Sequence, residues 1–132
     1  MIHKFPVLIR ETHLDTFGHV NNATYLTLYE EARWELITGN GYGMKTINEL
    51  KQGPVILEVN LKYMKELRLR ENIVITTELV GYKGRIGTLK QQMHRADGSI
   101  ASEALFTFGL FDTAQRKLIE PTAAWLKAIG SV

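Results

Sequence analysis

One stretch with helical periodicity, followed by a long run with two-residue periodicity, constrains this chain more than any other feature. At 100° per residue, Tyr25, Leu26, Leu28, Tyr29, Ala32, Leu36 and Ile37 fall on one half of a wheel, with Arg33 the only charged intruder. Thr24, Thr27, Glu31, Glu35 and Thr38 fill the other half, so a helix is predicted over about 22–38, stopped by Gly39 and Gly41. From Pro54 the period becomes two. Val55, Leu57, Val59, Leu61 and Tyr63 alternate with Glu58, Asn60 and Lys62. Ile73, Ile75, Thr77 and Leu79 mark a second strand, Gly81 to Gly84 a hairpin turn, and a third strand ends at Arg95. Asp97-Gly98 turns the chain into a fourth strand, about 99–111, with Ala104, Phe106, Phe108 and Leu110 on one side and Leu105 and Phe111 on the other. A strand near 4–11 precedes the helix and a helical turn near 46–51 follows it. A last helix begins near Pro121, placed at N1, and stops at Gly130.

One helix cannot cover both faces of an antiparallel sheet with strands this long, so a second copy of the chain is expected to close the remainder. The 132 residues fit one domain, 1–132, and 45% apolar residues suffice for one core. Absence of cysteine excludes disulfides, thiolate catalysis and thiolate metal sites. His3, His13, His19 and His94 show no ligand spacing, so neither a metal nor another cofactor is expected. No apolar run approaches a membrane span or a signal peptide, which makes a cytoplasmic location without membrane association the expectation. Residues 61–95 carry Lys62, Lys65, Arg68, Arg70, Lys83, Arg85, Lys90 and Arg95 against Glu66, Glu71 and Glu78. Such a local field suits a phosphate-bearing ligand, although alternate basic residues also simply solvate a sheet face. No aromatic platform in a basic groove points to nucleic acid.

The chemistry concentrates in Asp15-Thr-Phe-Gly18-His19-Val-Asn21-Asn22-Ala-Thr-Tyr25, immediately before the helix. A helix N-terminus leaves N–H groups unpaired and partly positive, suited to polarising a carbonyl. A carboxylate beside it can take a proton from water or attack an acyl carbon. Equally, an aspartate here can cap the following turn through its own backbone.

The pattern Asp15-x-x-Gly18-His19-x-Asn21-Asn22-x-x-Tyr25-x-x-x-x-Glu30-x-Ala32 resembles that of hotdog-fold acyl-CoA thioesterases of the 4-hydroxybenzoyl-CoA thioesterase-like superfamily. Asn60-Leu-Lys-Tyr63, Gly84-Arg85 and Arg95-Ala-Asp-Gly98 resemble its later strands and turns. The resemblance implies an α+β hotdog fold, a long central helix wrapped by a curved antiparallel sheet. It also implies active sites at the interface of a homodimer or dimer of dimers. The chain departs from the pattern after Tyr63, where Met-Lys-Glu-Leu-Arg-Leu-Arg-Glu71-Asn72 replaces a basic residue, proline and a Gly-Asp turn.

On that resemblance Asp15 takes the place of the catalytic carboxylate, and the Asn22 backbone N–H that of the donor to the thioester carbonyl, worth about 3 kcal/mol in other oxyanion holes. Asn21 or Asn22 can instead act as an N-cap, worth about 1 kcal/mol, and the two roles use different atoms. His19 either bonds near the thioester or ties loop to helix, and Gly18 permits a tight turn or close ligand approach. Tyr25 reads more as packing plus one hydrogen bond than as chemistry. Glu30 faces a partner's site or pairs with a basic strand residue. Lys83, Arg85 and Lys90 are candidates for coenzyme A phosphates. Trp34 and Trp125 read as hydrophobic anchors, and His13 receives no role. The expected activity is hydrolysis of an acyl thioester, carried by coenzyme A or acyl carrier protein, to acid and thiol. An enoyl-thioester hydratase or dehydratase of the same fold would pair Asp with a His five positions on, whereas His19 follows Asp15 by four. A non-catalytic acyl-thioester-binding protein is the third reading, disfavoured by the retained carboxylate.

Overall fold

The switch of period at Pro54 marks a real change of architecture. A computed structural model describes residues 1–131. Strand β1 (Ile2–Leu8) leads through a 3-10 turn (Glu11–His13) to helix α1 (Asn22–Gly39) and helix α2 (Met44–Leu50). Strands β2 (Gln52–Tyr63), β3 (Asn72–Lys83), β4 (Ile86–His94), β5 (Ile100–Asp112) and β6 (Lys117–Ile119) follow, then helix α3 (Ala123–Ala128).

The strands form one antiparallel sheet in the order β1-β3-β4-β5-β2, with β6 pairing the end of β5. This corrects the expected wrapping of α1 by a curved sheet. The path is open: β1 pairs only β3 and β2 only β5, so the two are edges that do not meet, and the sheet is neither closed nor strongly curled. Closure would require the edge strands to find each other through coordinated tilt and stagger. Here α1 instead lies against one face of an open α+β sheet.

That face is where the core sits. Ile73, Ile75, Leu89, Met93, Ala104, Phe106, Phe108 and Leu110 are buried from the sheet side, and Tyr25, Leu28, Tyr29, Ala32, Leu36 and Ile37 from α1. Of the predicted helical arc only Leu26 falls outside, at 38% exposure. The far end of α1 meets an aromatic cluster in which Trp125 of α3 packs edge-on against Tyr42 and Phe108.

Four details differ from the sequence reading. Gly81 is not in the hairpin turn; it follows a bulge at Val80, and the turn is Gly84-Arg85 alone, with Gly84 at φ +60°. Glycine at the first position of a two-residue turn matches the twist of the flanking strands. A second bulge, at Leu57, breaks the alternation of β2, so Ile56 and Leu57 are both exposed. Thr122 rather than Pro121 starts α3, its hydroxyl accepting the Trp125 N–H at 3.2 Å. Strand β6 is too short to leave a periodic signal.

Inside the core lies one polar chain. Gln91, fully buried on the inner face of β4, donates to the Tyr29 carbonyl at 3.0 Å and the Thr77 hydroxyl at 2.9 Å. It accepts from the Arg33 guanidinium at 2.9 Å. The Tyr29 hydroxyl donates to Ser102 at 2.8 Å, and burial pushes that phenol well up. Tyr29, Thr77, Gln91 and Ser102 thus each have a partner within this chain, which offsets their desolvation.

Candidate active site

The Asp15 loop is pinched shut by a bridge between Leu14 and Val20. The Asp15 N–H donates to the His19 carbonyl at 2.8 Å, and the Gly18 N–H to the Asp15 carbonyl at 3.1 Å. Gly18 sits at φ +80°, and an added Cβ there would meet nothing, so backbone rotation and not space demands glycine. Oδ1 of Asp15 accepts the N–H groups of Phe17 at 2.9 Å and His19 at 3.2 Å. The turn-capping role is therefore realised. It consumes one oxygen and leaves Oδ2 of the half-buried carboxylate without a hydrogen-bond partner among the described residues.

Helix α1 begins directly beyond. Asn21 is its N-cap, its side-chain oxygen accepting the Ala23 N–H at 2.8 Å. The Asn22 N–H has no partner among the described residues, and it stands at the positive end of an 18-residue helix. The Asn22 carbonyl accepts the Tyr63 hydroxyl at 2.8 Å, which fastens the start of α1 to the end of β2. Tyr25 is buried and meets Tyr63 edge-on at 4.8 Å. Burial raises the Tyr25 phenol first, then the neighbouring Tyr63 and Glu66. The packing expected of this tyrosine is present, whereas its hydroxyl makes no hydrogen bond among the described residues.

The segment after Tyr63, where the sequence departs from its family pattern, supplies the opposite wall. The Met64 and Lys65 N–H groups both donate to the Ala101 carbonyl, at 2.8 and 3.0 Å. Glu66 lies 3.4 Å from His19 Nε2, an exposed contact that ties the wall to the loop. Between them opens a groove of about 320 Å³ lined by His19, Tyr25, Tyr63, Met64, Lys65 and Glu66. Of the sequence candidates His19 and Tyr25 line this groove, while Asp15, Gly18, Asn21 and Asn22 lie in the loop and first turn of α1 that adjoin it.

The remaining candidates lie elsewhere. Glu30 is eight residues along α1 from Asn22, about 12 Å at 1.5 Å per residue, on the lip of a different cleft beside Arg33. Lys83 precedes the β3–β4 turn and Arg85 lies in it, and the turn abuts Gly109, whereas Tyr63 pairs with Ser102. Seven residues of β5 separate those positions, roughly 24 Å. Lys90 lies on the outer sheet face, opposite Glu78. Trp125 is buried and Trp34 packs half-buried against the core. Among the described residues no three His, Asp or Glu side chains cluster as metal ligands.

Three groups important to this geometry carry no role in the sequence reading: Tyr63, Glu66 and Gln91. Gln91 had a signal, a polar residue at an inner-face position between Leu89 and Met93. Tyr63 and Glu66 had none, because their partners are distant in sequence.

Residues 9–129 match the thioesterase-like superfamily. The long-chain acyl-CoA thioesterase FadM of Escherichia coli K12 is 31% identical over 115 residues, 86% of each chain. The crystal structure of YbaW, a probable thioesterase from Escherichia coli, superposes with a TM-score of 0.84 at 26% identity, covering 97% of this chain and 96% of that one. The Staphylococcus aureus protein SAV2348, solved in complex with CoA, has a TM-score of 0.90 at 17% identity, covering 98% and 82%, and bears on the fold alone. Open sheet, helix and loop together define a hotdog-like acyl-thioester fold. The chain belongs to the thioesterase-like superfamily, and it is a thioester hydrolase.

Proposed function

We propose that the protein is an acyl-CoA thioesterase whose chemistry takes place at the Asp15 loop and the first turn of α1. The observation that carries this is the pairing of two free groups: the Asn22 N–H at a helix N-terminus and Oδ2 of an otherwise anchored Asp15. The thioester carbonyl accepts from the Asn22 N–H, which stabilises negative charge as it develops on oxygen. Asp15 Oδ2 then takes a proton from an attacking water, or itself attacks the carbonyl carbon to give an acyl-enzyme that water later cleaves. The thiolate leaves and takes up a proton. Anchoring of Oδ1 by two backbone N–H groups holds the carboxylate in aim without occupying the reacting oxygen. Gly18 and Asn21 shape the loop, Tyr25 forms the floor, and His19 orders the wall through Glu66. Neither metal nor redox cofactor enters this scheme.

The whole chain acts as one domain in this reading, and it works as a homodimer or dimer of dimers. Strand β2 supports that: it is a 12-residue edge whose Ile56, Leu57, Val59 and Tyr63 are 38–52% exposed. A partner closing over β2 would bring Glu30, and the basic Lys83 and Arg85 turn, toward a neighbouring site. There the two cations would meet coenzyme A phosphates; Lys90, opposite Glu78, has the weakest claim to that role. Light scattering at micromolar protein is expected to return at least the dimer mass, and a monomer would refute the shared site.

The direct test is incubation with acyl-CoAs of varied chain length while free thiol is measured. Wild type is expected to release thiol and folded Asp15→Asn protein to release almost none. The same acyl group on acyl carrier protein decides between the two carriers.

A further inference from the structure

Arg33 is the charged intruder in the apolar arc of α1, and the scheme above does not use it. It lines a cleft of about 110 Å³ between α1 and the start of β2, remote from the Asp15 loop. The walls are apolar and aromatic: Trp34, Ile37, Ile56, Leu89, Phe108 and Trp125. The guanidinium lies over the Phe106 ring, 4.3 Å from its centroid, and gives one hydrogen bond, to Gln91. It has no carboxylate partner among the described residues. Burial lowers its pKa to about 10, with nearby Glu30 opposing that shift, so the group stays charged near neutrality. A mostly buried arginine with several unused N–H donors is costly unless something anionic or polar meets it.

We propose that this cleft is a binding site for an aliphatic carboxylate, with the carboxylate on Arg33 and the hydrocarbon against Trp34, Ile37 and Phe108. The planar fork matches a carboxylate geometrically, whereas a phosphate would bring more charge to one cation between apolar walls. The enclosed space equals about four waters at ~30 Å³ each, room for a short chain end. Glu30, the other charged group on the cleft, is solvent-exposed and forms no ion pair with Arg33, so it weakens the attraction without cancelling it. Two sources supply such a group: a free carboxylic acid, the class of product the enzyme releases, or the distal carboxylate of an acyl chain still on its thioester.

The chain's two tryptophans both line the cleft, so intrinsic fluorescence reads occupancy without turnover. Wild type is titrated with hexanoate and with 1-hexanol. Hexanoate is expected to bind at least about tenfold more tightly. Arg33→Gln should bring that ratio near one, Arg33→Lys should keep part of it, and Ile56→Phe, which fills the cleft, should weaken both ligands. Equal wild-type affinities, or a ratio unchanged in folded Arg33→Gln, would overturn the proposal and leave Arg33 as a brace for Gln91. Should the neutral variant not fold, the wild-type ratio and the filled-cleft variant decide: a ratio near one, or undiminished binding in Ile56→Phe, overturns it.

A second arm identifies the source and rests on the proposed thioesterase reading. kcat/KM is compared for acyl-CoAs of equal length ending in carboxylate or methyl. A preference of about tenfold for the carboxylate, lost in Arg33→Gln, assigns the site to substrate. Free-acid binding without such a preference assigns it to free acid. No turnover with any thioester would sink the proposed reaction while the fluorescence result stands by itself.

Discussion

Helix α1 carries two polar clusters, and they differ in what they leave unpaired. At its first turn the Asp15 loop is exposed to half-buried, and two groups remain free, Oδ2 of Asp15 and the Asn22 N–H. Two turns further on, Tyr29, Thr77, Gln91 and Ser102 are buried and mutually bonded. A satisfied buried network rigidifies and specifies a core. An anchored loop that leaves two groups free spends its hydrogen bonds on position and, in the proposed reaction, keeps those atoms available. The first arrangement predicts loss of activity on mutation, the second loss of stability.

The largest separation should come from Asp15→Asn. Shape and the Oδ1 contacts survive, while the proton acceptor is lost, so kcat should fall by about 10²–10⁴-fold with the thermal midpoint nearly unchanged. A fall of less than about tenfold would mean that Asp15 serves only the turn.

Gln91→Ala should do the reverse. It strands the Thr77 hydroxyl and the Arg33 donor in the core and leaves a void, costing about 2–4 kcal/mol. Urea unfolding should show that loss, with kcat changed much less than in Asp15→Asn. A variant as stable as wild type would show that the network is not what holds α1 to the sheet.

The same contrast explains what could be read from sequence. The arc of α1 and the inner face of β5 were legible because burial there follows 3.6- and two-residue periods directly. Asp15 to Asn22 was legible because loop, cap and carboxylate are contiguous. What escaped depends on strand register: Tyr63 on Asn22, Glu66 on His19 and Arg33 on Gln91 join residues 41, 47 and 58 apart. The open sheet escaped for a similar reason. Alternation says which way side chains point and nothing about whether β1 and β2 meet. The bulges at Leu57 and Val80 likewise shift the face of a strand without any signal in its apolar residues.

A smaller effect tests the joint between the two clusters. Tyr63→Phe removes the hydroxyl bonded to the Asn22 carbonyl but keeps the ring against Tyr25. Because the carbonyl is near solvent, the stability cost should be about 0.5–1.5 kcal/mol. The proposed thioester donor, the Asn22 N–H, belongs to the same residue, so kcat should fall a few-fold while KM holds. An unchanged kcat would show that α1 needs no fastening at its start.

The smallest expected effect lies at the surface, far from both clusters. Glu11 is held below its ordinary value of 4.5, first by backbone hydrogen bonding within its own turn and then by Arg70, whose guanidinium reaches both carboxylate oxygens at 2.8 and 3.0 Å. A carboxylate whose folded pKa is depressed binds protons less readily folded than unfolded. Its contribution is therefore present above about pH 4.5 and is lost as pH falls through the lower folded value. Both partners are exposed, so salt and side-chain entropy keep the contribution small. Glu11→Gln should lower the thermal midpoint slightly at pH 7, and the difference from wild type should shrink as pH falls below about 4.5. It should also shrink at high salt. A difference that does not diminish as the carboxylate is protonated would mean that Glu11 acts through the shape of the Glu11–His13 turn and not through its charge.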